Sequence, residues 1–200
     1  MFYKRAKLNA TTKSGFGGGD MTIKEQAKCI LYDHGLLEEL GRYGTPHIVG
    51  SYRMDMMAWN DLDIDIENEN MSLDKLYRLS QFVIDEFHPI WYEAKEEINS
   101  EHKTVWFQGF EAFIGNELWN VDLWFFDKDT IKLAEEYCDK IVMQVKKSPE
   151  LKEQIIRLKK ELIAHKLYSF DQYTSIDVYH AVLNQHITDI ENFLTDYVRA

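Results

Sequence analysis

The sequence predicts an α+β protein, with a mixed β-sheet flanked by helices and a C-terminal helical region after it. Three observations carry this reading. Residues 61–66 alternate strictly between aspartate and an aliphatic side chain, and 91–98, 104–113 and 118–126 are three further aromatic-rich strand candidates. Apolar residues recur at helical spacing before and between these strands. From residue 130 onward only the helical period remains. Strands and helices do not alternate regularly, so a doubly wound parallel sheet is not expected.

The 200 residues and 23.7 kDa fit one domain with a helical appendage. At 45% hydrophobic and 28% charged, the chain is neither disordered nor collagen-like. Thirty-four acidic against 23 basic residues give a net charge of -11. Such a surface repels a nucleic-acid backbone unless basic residues gather locally, and it suits neutral or cationic small molecules better. Cys29 and Cys138 are too few for a disulfide framework and read as free thiols in a reducing compartment. No apolar run approaches the ~20 residues that span a bilayer, and the basic start lacks the apolar stretch of a secretory signal. A cytoplasmic location and no membrane contact are therefore expected.

Residues 1–20 read as a flexible tail. Lys13-Ser14-Gly15-Phe16-Gly17-Gly18-Gly19-Asp20 lacks the Gly-Lys-Ser/Thr end of a P-loop, and no apolar strand feeds it. Residues 21–130 form the predicted core, and 131–200 the helical region. Ile23, Ala27, Ile30, Leu31, Leu36, Leu37 and Leu40 carry the first helical pattern, punctuated by Gly35 and Gly41. His47-Ile48-Val49 is a short strand candidate ending at Gly50-Ser51. Residues 72–87 place Leu73, Leu76, Leu79, Phe82, Val83 and Phe87 on one helical side. Gly115-Asn116 is a hairpin turn between the last two strands. The remaining helices are expected at 130–147, 149–167 and 175–197, with Ser148 capping the second, and Ser175 or Asp177 the third.

The segment from His47 to Ile66 carries the chemistry. Alternation buries Leu62, Ile64 and Ile66 and sets Asp61, Asp63 and Asp65 on the other face, each ~7 Å from the next. Like charges that close disfavour ionisation, and a divalent cation resolves the conflict through hard oxygen ligands. A solvated acidic strand face, continued by Glu67 and Glu69, is the plainer alternative. In 118–126, Trp119, Val121, Leu123 and Phe125 share one face, and Asn120, Asp122 and Trp124 the other. An aspartate in so apolar a strand needs a partner. An EF-hand beginning at Asp61 fails, since Ile66 and Ser72 stand where glycine and glutamate are required. A phosphatase-type nucleophile fails too, because Trp59-Asn60 precede Asp61 where an apolar run is needed. An Asp-x-Asp glycosyltransferase motif stays open.

An apolar strand, Gly50-Ser51, nine residues and then Asp61-Leu62-Asp63-Ile64 resembles the signature of the DNA polymerase beta-like nucleotidyltransferases. The resemblance covers about residues 22–130. It implies a nucleotidyltransferase-like core in which Gly50 and Ser51 hold nucleotide phosphates at a short helix. It further implies that Asp61, Asp63 and Asp122 bind two Mg²⁺ and act as the catalytic carboxylates. Asp63 with Asp65 is the alternative register, at eleven intervening residues. Arg53 is a candidate phosphate contact or a surface residue. Lys146, Lys147, Lys152, Arg157, Lys159 and Lys160 are either solvated helix faces or a source of charge for the triphosphate. No histidine is given a role, and most tryptophans are expected in the core.

The implied reaction moves a nucleoside monophosphate, AMP from ATP in the first instance, to an acceptor hydroxyl as pyrophosphate leaves. The net charge favours a small-molecule acceptor over nucleic acid. A non-catalytic nucleotidyltransferase-like module, the partner subunit of a regulatory or antitoxin pair, is the alternative from another class. The sequence leaves the acceptor, the nucleotide preference and the oligomeric state open.

Overall fold

A computed structural model describes residues 21–99, 102–169 and 171–199. The expected tail at 1–20 lies outside them. The first helical pattern is α1 (Ile23–Lys28), a π-helical turn (Cys29–Asp33) and α2 (Leu36–Leu40). Thr22 and Glu25 close a capping box on α1. Then come β1 (Thr45–Ile48), the four-residue α3 (Gly50–Arg53), β2 (Asp61–Glu67) and α4 (Leu73–Phe87), which Ser72 caps. β3 (Trp91–Ile98), β4 (Thr104–Ile114) and β5 (Glu117–Phe126) follow, then α5 (Lys128–Lys147), α6 (Glu150–Ala164), α7 (Ser175–Asn184) and α8 (Ile190–Asp196).

The five strands form one mixed sheet in the order β1-β2-β5-β4-β3. β2 and β5 are parallel, and the other neighbours antiparallel. One face carries Leu62, Ile64, Ile66, Val121, Leu123 and Phe125, all buried against residues of α1, α2 and α4. At ~25 cal/mol per Å² of apolar surface removed from water, this layer is the main stabilising contribution to the sheet. A second apolar cluster joins α5, α6, α7 and α8 to Val49, Met54 and Met56, the residues flanking α3. The segment bearing Gly50 and Ser51 is thus packed between sheet and helices. Among the described residues, no helix is long and apolar enough to cross a membrane.

Three helix boundaries depart from expectation. The last helix is two, because His186 adopts a left-handed φ of 58° and Asp189 starts α8 by accepting the Asn192 backbone N–H. Thr174 caps α7, with Asp177 returning the bond to the Thr174 backbone N–H, so neither Ser175 nor Asp177 is the cap. Ser148 ends α5 instead of capping α6, whose first turn follows Pro149 without a side-chain cap.

Candidate active site

β2 and β5 run parallel with Asp63 directly opposite Asp122 and Asp61 opposite Asn120. Carboxylate oxygens of Asp61, Asp63 and Asp122 all lie within 4.8 Å of one another. The three side chains leave the sheet on the face away from the first apolar cluster, as alternation requires. Asn120 donates from Nδ2 to Asp61 Oδ1 at 2.8 Å and so orients that carboxylate. Three hard oxygen donors this close form a set suited to a divalent cation, which would relieve their mutual repulsion.

Two glycines shape the space around the triad. Gly50 has φ of 61°, and a Cβ there would sit 2.2 Å from Asp63 Oδ2. Its backbone therefore approaches the carboxylate as only glycine can. Val49 N–H donates to the Asp63 carbonyl at 3.2 Å, tying the turn to β2, and Ser51 is buried beside it. Gly109 pairs with Asp122 across β4 and β5. A Cβ at Gly109 would fall 3.0 Å from Asp122 Oδ1 and 2.5 Å from the Phe107 ring.

The structure separates Asp65 from the triad. It lies two residues further along β2, opposite His47 on one side and Trp124 on the other, and is 6% exposed. Burial pushes its carboxyl up to about 6, with His47 opposing that rise and Glu135 adding to it. Arg53 turns to α5, donating from Nη1 to Glu135 and from Nη2 to Asp139, each at 3.0 Å. Trp119 is fully buried with Nε1 donating to Gln26, and Trp124 stacks on Phe126. Trp59 meets the edge of Tyr168 at 6.3 Å.

Sequence reasoning grouped Lys159 with five other basic residues and did not single it out. Lys159 of α6 is 1% exposed, while Lys146, Lys147, Arg157 and Lys160 are exposed. Its Nζ donates to the Met56 carbonyl and the Tyr179 hydroxyl, each at 3.2 Å. Burial pulls its ammonium down to about 8, and the fields of Asp61 and Asp63 hold it up. Tyr168, bonded to Ser175, also feels both aspartates, and burial above all raises its phenol. A sequence signal for Lys159 existed: it falls on the apolar stripe of Ile155, Leu158 and Leu162.

No family model and no curated protein matches the chain. Solved structures do. The Cid1 poly(U) polymerase with Mg and 3'-dATP bound superimposes with a TM-score of 0.60 at 16% identity, over 82% of this chain and 50% of that one. The chain therefore has the nucleotidyltransferase fold. The GLD-2–GLD-3 poly(A) polymerase complex shares the fold at a TM-score of 0.57 and 13% identity, over 90% of this chain and 62% of that one. A cytoplasmic RNA terminal U-transferase shares it at 0.54 and 16%, over 80% and 47%. The chain thus spans about half the length of the Cid1 chain. Within the nucleotidyltransferase fold, the carboxylates of β2 and β5 meet beside the Gly50-Ser51 turn.

Proposed function

We propose that this protein is a metal-dependent nucleotidyltransferase with Asp61, Asp63 and Asp122 as its metal-binding carboxylates. The single observation that carries the reading is the convergence of these three side chains at the Gly50-Ser51 turn. The fold shared with nucleotide polymerases supports it.

Divalent cations such as Mg²⁺, when bound, supply positive charge to the entering and leaving oxygens of phosphoryl transfer. The chain's own residues do the rest. Gly50 lets the backbone come close to the triphosphate, and Ser51 offers its hydroxyl there. Asp122 is placed to accept the proton of the attacking hydroxyl. Lys159, buried and within the field of Asp61 and Asp63, supplies positive charge for phosphate oxygens. The products are an acceptor carrying a nucleoside monophosphate, and pyrophosphate.

Two observations bear on the acceptor. The similar structures are RNA-tailing enzymes by name, which supports an RNA 3'-hydroxyl. The charge of -11 supports a small molecule, and so does the pairing of Lys24 and Lys152 with Asp55. The test incubates the protein with each α-labelled ribonucleoside triphosphate and Mg²⁺. The acceptors are an RNA oligomer, the same oligomer blocked at its 3' end, and a small-molecule extract. Transfer to the open oligomer alone assigns RNA, and transfer within the extract assigns a small molecule. Mg²⁺-dependent nucleotide binding with no transfer in any arm overturns the catalytic reading in favour of a binding module.

A further inference from the structure

A four-residue helix cannot hold its own geometry, because nucleating a helical turn costs more than one or two hydrogen bonds return. The Gly50-Ser51 turn is nevertheless set against Asp63 with no room for a methyl group. Val49 ties its start to β2, and its two flanks reach α5. His47, three residues before Gly50, brings Nδ1 to 3.2 Å from Glu135 Oε1. Arg53, three residues after Gly50, donates from Nη1 to the same Glu135 oxygen at 3.0 Å. Asp139, one helical turn on, takes the other arm of Arg53. Between them on the helix, Cys138 is buried in the apolar cluster that also holds Val49. Glu135, Cys138 and Asp139 therefore form one face of α5, and both flanks of the turn converge on a single carboxylate oxygen.

We infer that Glu135 is a positioning residue, which holds the Gly50-Ser51 turn at its working distance from Asp63 by gripping His47 and Arg53 together. This rests on the nucleotidyltransferase reading above for its consequence, though not for its geometry. It also assigns Arg53 a different task from direct phosphate contact. The guanidinium acts through Glu135 and Asp139, and its loss reaches the nucleotide only through the turn.

The experiment uses the full chain and Glu135→Gln, which keeps the shape and removes the charge. Amide hydrogen exchange without nucleotide reads the turn directly. Faster exchange at Gly50, Ser51 and Tyr52, with the rest of the sheet unchanged, is expected. Unchanged exchange at these amides overturns the inference. Calorimetric titration with Mg²⁺ and each of the four ribonucleoside triphosphates then reads the consequence. Affinity for the best-bound nucleotide falls about ten-fold or more, the usual cost of losing a residue that orients another. The melting temperature without ligand moves little, because partly solvated ion pairs contribute little to stability. A purely structural role would give the opposite pattern, and that result also overturns the inference.

Arg53→Gln and the double variant complete a cycle. Arg53→Gln weakens binding in the wild type and adds a smaller loss once Glu135 is replaced, when Asp139 alone still holds the guanidinium. A full additional loss in the double variant overturns the inference in favour of direct phosphate contact. Wild type that binds no triphosphate at millimolar concentration, with exchange still faster in Glu135→Gln, overturns the proposed function and leaves the grip on the turn standing.

Discussion

Asp63 and Asp122 are direct partners in the parallel ladder between β2 and β5, so their carboxylates leave the sheet side by side. Without a cation this pair, with Asp61, is repulsive. Asp63→Asn relieves the repulsion and removes a ligand. It is expected to raise the melting temperature in chelator and to abolish the further rise that Mg²⁺ and nucleotide cause. Transfer activity falls by on the order of 10³, as when a preorganised electrostatic partner is lost. Thermal melts with chelator, Mg²⁺ alone and Mg²⁺ with nucleotide check all three. A Mg²⁺ response that survives in Asp63→Asn would sink the metal assignment.

Gly50 and Gly35 make a controlled comparison. Both have positive φ, 61° and 70°, so alanine at either costs about 1–2 kcal/mol of backbone strain. A Cβ at Gly35 meets nothing within 4 Å, whereas one at Gly50 would overlap Asp63 Oδ2. Gly50→Ala is therefore expected to lose more stability than Gly35→Ala in urea denaturation. It alone should lose Mg²⁺-dependent nucleotide binding. Equal behaviour of the two variants would show that the close approach to Asp63 does not matter.

The strands were legible because period-2 alternation survives in single sequences. Trp119, Val121, Leu123 and Phe125 were read as sharing one face, and all four are buried. Alternation likewise assigned faces, setting Asp61, Asp63 and Asp65 together on one strand and Asp122 on another, but the choice of Asp61, Asp63 and Asp122 among them came from the family resemblance. Register was not legible. That Asp63 faces Asp122, and that Gly109 opens the space beside Asp122, depends on strand pairing across the whole sheet. The break between α7 and α8 was hidden because the apolar pattern continues through Ile187, Ile190 and Phe193, and no glycine marks the left-handed His186. The pairing of Arg53 with Glu135 spans 82 residues, beyond any local rule.

Gln108 is fully buried on β4, between Leu123 and Ala94 of the neighbouring strands. Neither Nε2 nor Oε1 has a hydrogen-bond partner. A buried amide left unsatisfied costs about 1–3 kcal/mol. Gln108→Met keeps the volume and removes the polar atoms, so it is expected to stabilise the fold by an amount in that range. Equilibrium denaturation in urea measures it directly. A loss of stability would show that the amide is satisfied in solution, for instance by water.

Lys159 gives the pH dependence a sign. Its folded value of about 8 lies below its ordinary 10.5, because burial disfavours the ammonium. Below pH 8 it is protonated in both folded and unfolded chains, and the penalty of holding the buried charge, about 3 kcal/mol, is fully present. Between pH 8 and 10.5 the unfolded chain binds more protons, so this group makes the fold more stable as pH rises. Triphosphate reverses the preference, since phosphate oxygens favour the ammonium. Nucleotide affinity is therefore expected to be level from pH 7 to about 8. Above that it should fall, approaching ten-fold per pH unit. Lys159→Met should bind about ten- to a hundred-fold more weakly at pH 7, the value of a hydrogen bond to a charged group. Its affinity should show no decline across the same range. Titration calorimetry at half-unit steps from pH 7 to 9.5 separates the two curves. A wild-type affinity that stays level to pH 9.5 would remove Lys159 from the nucleotide's contacts and leave it a structural charge between Met56 and Tyr179.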